Sequence, residues 1–349
     1  MASIEKLTSQ LDQQRRKVDF DTYDISVEQL ISMVRSGAID VAPVYQRQFR
    51  WDNLKRSRLI ESLFLGVPVP SLFMATNKDA TWELVDGVQR ISTVIQFAGD
   101  DPVRRKLAIS KPLVLEGLDK LNEFNGLSFS DLPDSLRLLF LHRPLKVITL
   151  SDKSDLVVRF DLFERLNTGG VALTNQEIRG CIYRGRFNEF LENLAETEDF
   201  HTVVRLTQRQ QNDGTLEECV LRFFAFLHRY KTFVHSVVDF LNTYMQDADK
   251  SFKYKEGETL FLATFKGLSS VLPHGIVREQ GRTITPINLF EAVSVGAALA
   301  LKKTGHLKTK GIQNWIMSEK LRKLTTGATN NRAMVVGRIQ YCRNKFLGK

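Results

Sequence analysis

From about residue 153 onward the strand-like stretches stop, and apolar residues recur at helical spacing instead. "LEECVLRFFAFLHRY", "TFVHSVVDFLNTYM", "GETLFLATFKGLSSVL", "NLFEAVSVGAALALKK" and "RAMVVGRIQYCRNKF" all read as helices. The last sets Val335, Ile339, Cys342 and Phe346 on one stripe. Before that point the two periods are mixed. "FDTYDIS", "SLFMA", "TWELV", "LAISKPLVLEGL" and "RPLKVITL" read as strands, and helical stretches separate most of them. The expected fold class is therefore α+β, with an α/β part over 20–152 and an all-helical part over 153–349. No linker rich in Gly, Pro or Ser lies between them, so the two are expected to pack as one body.

Local signals fix several boundaries. Ser26 and Gln29 suit a capping box opening "SVEQLISMVRSG", which Gly37 would close. Asp52 would cap "DNLKRSRLIESLFLG", and Gly66 would end it. "SLFMA" and "TWELV" form a hairpin across "TNKDA". Thr174 and Glu177 make a second capping box, opening one helical run, "TNQEIRGCIYRGRFNEFLENLAE".

The 349 residues are 43% apolar and 26% charged, which fits one large domain or two ordinary ones and excludes disorder over most of the chain. The net charge of +9 favours anionic partners. Two segments carry much of it: "RQFRWDNLKRSR" (47–58), and 320–349, where eight Lys/Arg meet no Asp or Glu. Each is a solvated face or an anion site. Three scattered cysteines fit a reducing compartment, and no Cys/His spacing suits zinc. The polar first twenty residues lack a signal core, and "INLFEAVSVGAALAL" is too short to span a bilayer and contains Glu291. A soluble, cytoplasmic protein with no membrane partner is expected.

"VDGVQR" (85–90) lies at a strand-to-helix seam. Gly87 would let the backbone approach a ligand, Gln89 and Arg90 occupy the first turn, and Arg90 could fork onto a phosphate. Ser92 and Thr93 could donate further bonds or touch hydrated Mg²⁺. Asp86 could orient Arg90, bind a sugar hydroxyl or hold the metal through water. The alternative is a helix merely capped by Asp86 or Gly87. In "PVYQRQFRW", Gln46 and Arg47 could reach a phosphate or base face, or belong to an ordinary edge strand. In "FERLNTGGVALTNQEIRG", Asn167 and Thr168 could bond a ligand where Gly169 and Gly170 permit positive φ, or the break is a plain helical turn. His228 and His235, seven apart, read as packing residues. Arg338 and Lys345, also seven apart, read as a solvated edge.

Taken in order, "YQRQFRW", "LVDGVQRISTV" and "FERLNTGGVALTNQEIR" resemble the family that forms the N-terminal half of GmrSD-type restriction systems, a large family described as a domain of unknown function. The likeness continues through "LEGLDKLNEFNGLSFSDLP" and "VLRFFAFLHRY". That family looks like a relative of ParB and sulfiredoxin, in which a G-x-x-R turn at a helix start binds nucleotide phosphates. Gly87 and Arg90 match that turn. Gln46 and Arg47 match a Gln-Pro-Arg box without its Pro. The family's D-G-Q-Q-R core is Asp86-Gly87-Val88-Gln89-Arg90 here, so Val88 replaces a Gln. Either hydrolysis is lost with it or Val88 faces the core.

The resemblance implies a nucleotide-binding protein, with a nucleoside triphosphate and Mg²⁺ as cofactors, acting in phage defence with a separate nuclease subunit. Asp86, Gln89 and Arg90 would act in hydrolysis. Gln46, Arg47, Gly87, Ser92, Thr93, Asn167, Thr168 and Gly169 would bind the nucleotide. There is no Walker A motif. The alternative is a DNA-binding module using 47–58 and 320–349. A nuclease built on Glu83 and Asp86 is disfavoured, because residues three apart on a strand face opposite ways. A homodimer through the helical part is a further expectation, with no heptad run to support it.

Overall fold

The sheet that carries the seam grows from short runs of β-branched and aromatic residues. β1 (Phe20–Ser26), β2 (Ile39–Asp40), β3 (Leu72–Thr76), β4 (Trp82–Asp86) and β5 (Pro144–Leu150) line up in the order β1-β5-β3-β4-β2. β1 and β5 pair antiparallel with Tyr23 opposite Val147, and β3 runs parallel to β5 with Leu72 opposite Val147. β3 and β4 form the expected hairpin, with a register shift between Phe73 and Met74. The short β2 runs parallel to β4. These facts come from a computed structural model that describes residues 4–15, 19–41, 51–77, 79–151, 160, 165, 174–183, 185–278 and 283–349. The stretch 43–50, most of "SDLVVRFDLFERLN" and all of "NTGG" lie outside the described residues.

The chain divides into two units, Met1–Ala172 and Leu173–Lys349. In the first, α1 (Ile4–Arg15), α2 (Val27–Ser36), α3 (Asn53–Leu65), α4 (Val88–Ala98), α5 (Asp101–Lys106) and α6 (Asp134–Leu141) accompany the sheet. The capping residues are those the sequence signals, although of the Ser26–Gln29 box the structure shows only the Ser26 half. Ser26 accepts from the Gln29 N–H at 3.2 Å, Asp52 from the Lys55 N–H at 2.8 Å, and Gly37 and Gly66 close their helices at φ 84° and 73°. The core joins Leu30, Ile60, Leu72, Met74, Leu84, Ile91 and Val147, with the rings of Phe64, Phe97 and Phe140 packed edge-to-face or tilted at 4.9–6.3 Å between centroids.

"LAISKPLVLEGL" is not a strand. It buries alternate residues, Leu113 and Leu115, but its backbone bonds go elsewhere. The Leu113 N–H donates to Gln96 O of α4, and Leu115 exchanges bonds with the turn at Gly126 and Leu127. Alternation reported burial there without a neighbouring strand to pair with.

Among its described residues the regular elements of the second unit are all helices. It contains α7 (Asn175–Ile182), α8 (Arg186–Ala195), α9 (Glu198–Val203), α10 (Gln208–Gln211), α11 (Thr215–Arg229), α12 (Val237–Ser251), α13 (Tyr254–Ser269), α14 (Ile287–Thr304), α15 (Ile312–Ile316), α16 (Glu319–Thr325) and α17 (Arg332–Phe346). Thr174 and Glu177 form the full capping box. The run expected as one helix is two, α7 and α8, because Gly185 at φ 143° restarts it in a conformation that side-chain-bearing residues rarely adopt. Among the described residues no helix is long and apolar enough to cross a membrane.

Candidate functional site

The seam forms where β4 ends at Asp86 and α4 begins at Val88. Gly87 between them sits at φ 110°, and a Cβ there would lie 2.3 Å from Leu72 Cδ2. Only glycine meets both demands without a shift in the core. No side chain caps α4, and Ile91 N–H donates back to Gly87 O at 2.9 Å. Such a helix start points N–H groups and the positive end of its dipole outward.

Arg90 folds over this start. Its Nη1 donates to the carbonyls of Pro70 (2.6 Å) and Ser71 (2.9 Å), and its Nη2 donates to Asp86 Oδ2. The Arg90 side chain is 13% exposed and that of Asp86 35%. Arg90 Nε and Nη2 each lie 3.5 Å from the point where a Gly87 Cβ would be, so the guanidinium stands directly beside the glycine. Gln89 Oε1 accepts the Trp51 N–H at 3.1 Å, which ties the start of α4 to the residue before the α3 cap.

Asp86, Gly87, Gln89 and Arg90 are therefore together. Ser92 and Thr93 are on the same helix but buried, and the Thr93 hydroxyl donates to Gln89 O at 2.6 Å. Val88 packs against the core. Gln46, Arg47, Asn167, Thr168 and Gly169 lie outside the described residues. Trp51, Pro70, Ser71 and Leu72 were missed by the sequence reading. They carry no chemical motif and join the seam only through the fold.

Glu83 is 1% exposed, whereas Asp86 is half-open at the strand end, so the two carboxylates do not share a face that a solvent metal could reach. Among the described residues no group of three or more His, Cys, Asp or Glu could hold a metal ion.

The helical unit holds a second polar constellation. Glu291 of α14 accepts from Arg338 of α17 at Oε2 and from Arg222 of α11 at Oε1 (2.6 Å). Arg222 also pairs with Glu218 (2.7 Å), and Glu218 Oε2 with Arg179 of α7 (3.0 Å). Burial by itself would raise the Glu218 carboxyl, but Arg222 and Arg179 outweigh it and hold it below its ordinary value. Arg338 is fully buried, which corrects its reading as a solvated edge. The signal was present: Arg338 falls between Val335, Ile339 and Cys342 on the apolar stripe, and Glu291 lies in the most apolar helix. Opposite charges set into two apolar stripes can be buried together when each completes the other.

Residues 27–184 match the family described as GmrSD restriction endonuclease, N-terminal domain. The matched span contains α2 to α7 and the whole seam. No curated protein matches the chain.

Proposed function

We propose, for a chain that belongs through residues 27–184 to the N-terminal domain family of GmrSD restriction endonucleases and so has a role in restriction, that the start of α4 holds the phosphates of a nucleoside triphosphate with Mg²⁺. The observation that carries this reading is the uncapped α4 start with Gly87 at φ 110° and the Arg90 guanidinium beside it. Backbone N–H groups and the positive end of the helix dipole meet there beside the Arg90 guanidinium, which a phosphate would take over in part from Asp86, Pro70 and Ser71. Asp86 holds Arg90 in place and is free on its open side for a hydrated metal. Gln46 and Arg47 would close over the nucleotide, and Asn167, Thr168 and Gly169 would contact it. Ser92 and Thr93 would support the first turn from within, as the Thr93–Gln89 bond illustrates. In phosphoryl transfer Asp86, Gln89 and Arg90 would act by positioning and charge.

The domain would then be of the ParB and sulfiredoxin kind, and the chain a nucleotide-dependent sensor or regulator whose nuclease is a separate subunit. The test is titration with ATP, GTP and CTP beside their nucleosides, in Mg²⁺, followed by phosphate-release assays. A triphosphate that saturates while its nucleoside does not supports the cradle. Equal binding of both, or none, contradicts it.

A second reading, direct contact with DNA, is favoured by one observation. After Glu291 the chain has twelve Lys/Arg and a single acidic residue, Glu319, which pairs with Lys323 at 2.8 Å. Arg338 is the buried exception among those cations. This reading expects DNA affinity to fall linearly with salt on a logarithmic plot. A flat salt response contradicts it.

A further inference from the structure

Four helices of the second unit converge without closing. α11, α12, α13 and α14 leave a cavity of about 260 Å³ lined by Phe224, Leu227, Tyr244, Phe252 and Leu260, with His228, Arg229 and Lys302 among its polar groups. Clefts between bundle helices are a common place for small ligands, and this volume lies just below the ~300–1,000 Å³ of drug-sized pockets. It suits one substituted ring and is too small for a nucleoside triphosphate.

The wall is aromatic. Phe252 stands edge-on to Phe224 at 5.1 Å between centroids. It reaches so close to α13 that a Cβ on Gly257 would lie 2.7 Å from it. Polar groups line it as well: His228, Tyr244, Ser251 and five charged side chains, Arg229, Asp247, Lys253, Glu256 and Lys302. The Tyr244 hydroxyl bonds His228 Nδ1 at 2.7 Å, and whichever tautomer His228 adopts, Nε2 keeps one hydrogen-bonding capacity. Burial, with Lys302 and Arg229 nearby, lowers the His228 pKa, so the imidazole is neutral near pH 7.

The charges at the rim do not balance. Arg229 pairs with Asp247 (2.8 Å) and Lys253 with Glu256 (3.3 Å). Lys302 also lines the cavity, and among the described residues it has no acidic partner. An aromatic wall, a neutral donor or acceptor and one unbalanced cation define a ligand by its chemistry.

From this geometry we propose that the cavity between α11, α12, α13 and α14 binds a small aromatic monoanion, with the ring against Phe252 and Tyr244 and the anionic group at Lys302. The site lies within the second unit and needs none of the residues of the seam. It therefore stands or falls separately from the phosphate reading.

The experiment is calorimetric titration of the full chain with benzoate and phenyl phosphate, with benzyl alcohol and acetate as probes lacking the charge or the ring. Wild type, Arg90→Ala and Lys302→Gln are compared, each checked to be folded at the titration temperature. Saturable binding of an aromatic anion is expected, unchanged in Arg90→Ala. It should weaken about tenfold in Lys302→Gln and about tenfold for benzyl alcohol, the loss of one favourable charge contact. Because Lys302 is exposed, its replacement leaves the fold intact, and Tyr244→Phe gives a second variant that removes only the hydroxyl. No saturation by either aromatic anion up to about 10 mM, an affinity too weak for a built site, would overturn the proposal. So would binding that neither Lys302→Gln nor Tyr244→Phe alters.

Discussion

Arg90 is tied to Asp86 across the glycine that starts α4, and the same guanidinium holds the carbonyls of Pro70 and Ser71. One side chain thus fixes the end of β4, the start of α4 and the segment entering β3. Arg90→Ala is expected to lower unfolding stability by about 1–3 kcal/mol, the range for charge-assisted bonds to partly buried groups. Denaturant melts should show a lower midpoint at an unchanged slope. A midpoint equal to wild type would mean the contacts hold nothing in place.

Gly87 carries a separate expectation. Gly87→Ala meets both the positive φ and Leu72 Cδ2 at 2.3 Å, whereas Gly37→Ala, at φ 84°, meets no atom within 4 Å. Both lose stability through the backbone, roughly 1 kcal/mol each, and Gly87→Ala loses more through the displaced leucine. Equal losses in the two variants would show that Leu72 yields freely.

The buried array in the helical unit makes a double-mutant prediction. Glu291→Ala leaves the buried Arg338 without its carboxylate, while Arg222 keeps Glu218, and should cost about 3–5 kcal/mol. Arg338→Met should cost less, because Glu291 keeps Arg222. The Glu291→Met, Arg338→Met pair should lose less than the sum of its single variants, since no charge is left stranded between those two helices and Arg222 keeps Glu218. Additive losses would rule out the coupling.

Glu218 gives the pH dependence. Its folded carboxyl titrates below the unfolded value of about 4.3, because the flanking guanidiniums outweigh burial. Between the two values the unfolded chain binds more protons, so stability rises with pH. The contribution is complete above about pH 4.3 and is lost as pH falls through the folded value. Glu218→Gln should flatten that acid limb of the stability profile. An unchanged limb would place the titrating group elsewhere.

Much of this was legible in the residues, for physical reasons. Asp52, Gly37 and Gly66 act within a few residues of themselves, so their caps and stops could be read locally. The hairpin joining β3 and β4 spans a short turn and was equally local. The Arg90 contacts with Pro70 and Ser71 cross about twenty residues and depend on strand order, which no local pattern encodes. Arg338 shows the opposite lesson. Its position on an apolar stripe was visible, but its partner Glu291 lies 47 residues away, and only the pairing makes its burial reasonable. "LAISKPLVLEGL" alternated because one face is buried, and alternation alone does not supply a neighbouring strand.

Whether the Gly87–Arg90 turn cradles phosphate is read most directly by calorimetric titration of ATP, GTP and CTP with Mg²⁺ into wild type, Arg90→Lys and Arg90→Ala. The lysine variant keeps the charge but not the fork. Saturable binding by wild type, weaker in Arg90→Lys and absent in a folded Arg90→Ala, is the predicted result. Nucleotide affinity unchanged in Arg90→Ala, or no binding by wild type, would contradict the account and move attention to the basic C-terminal segment.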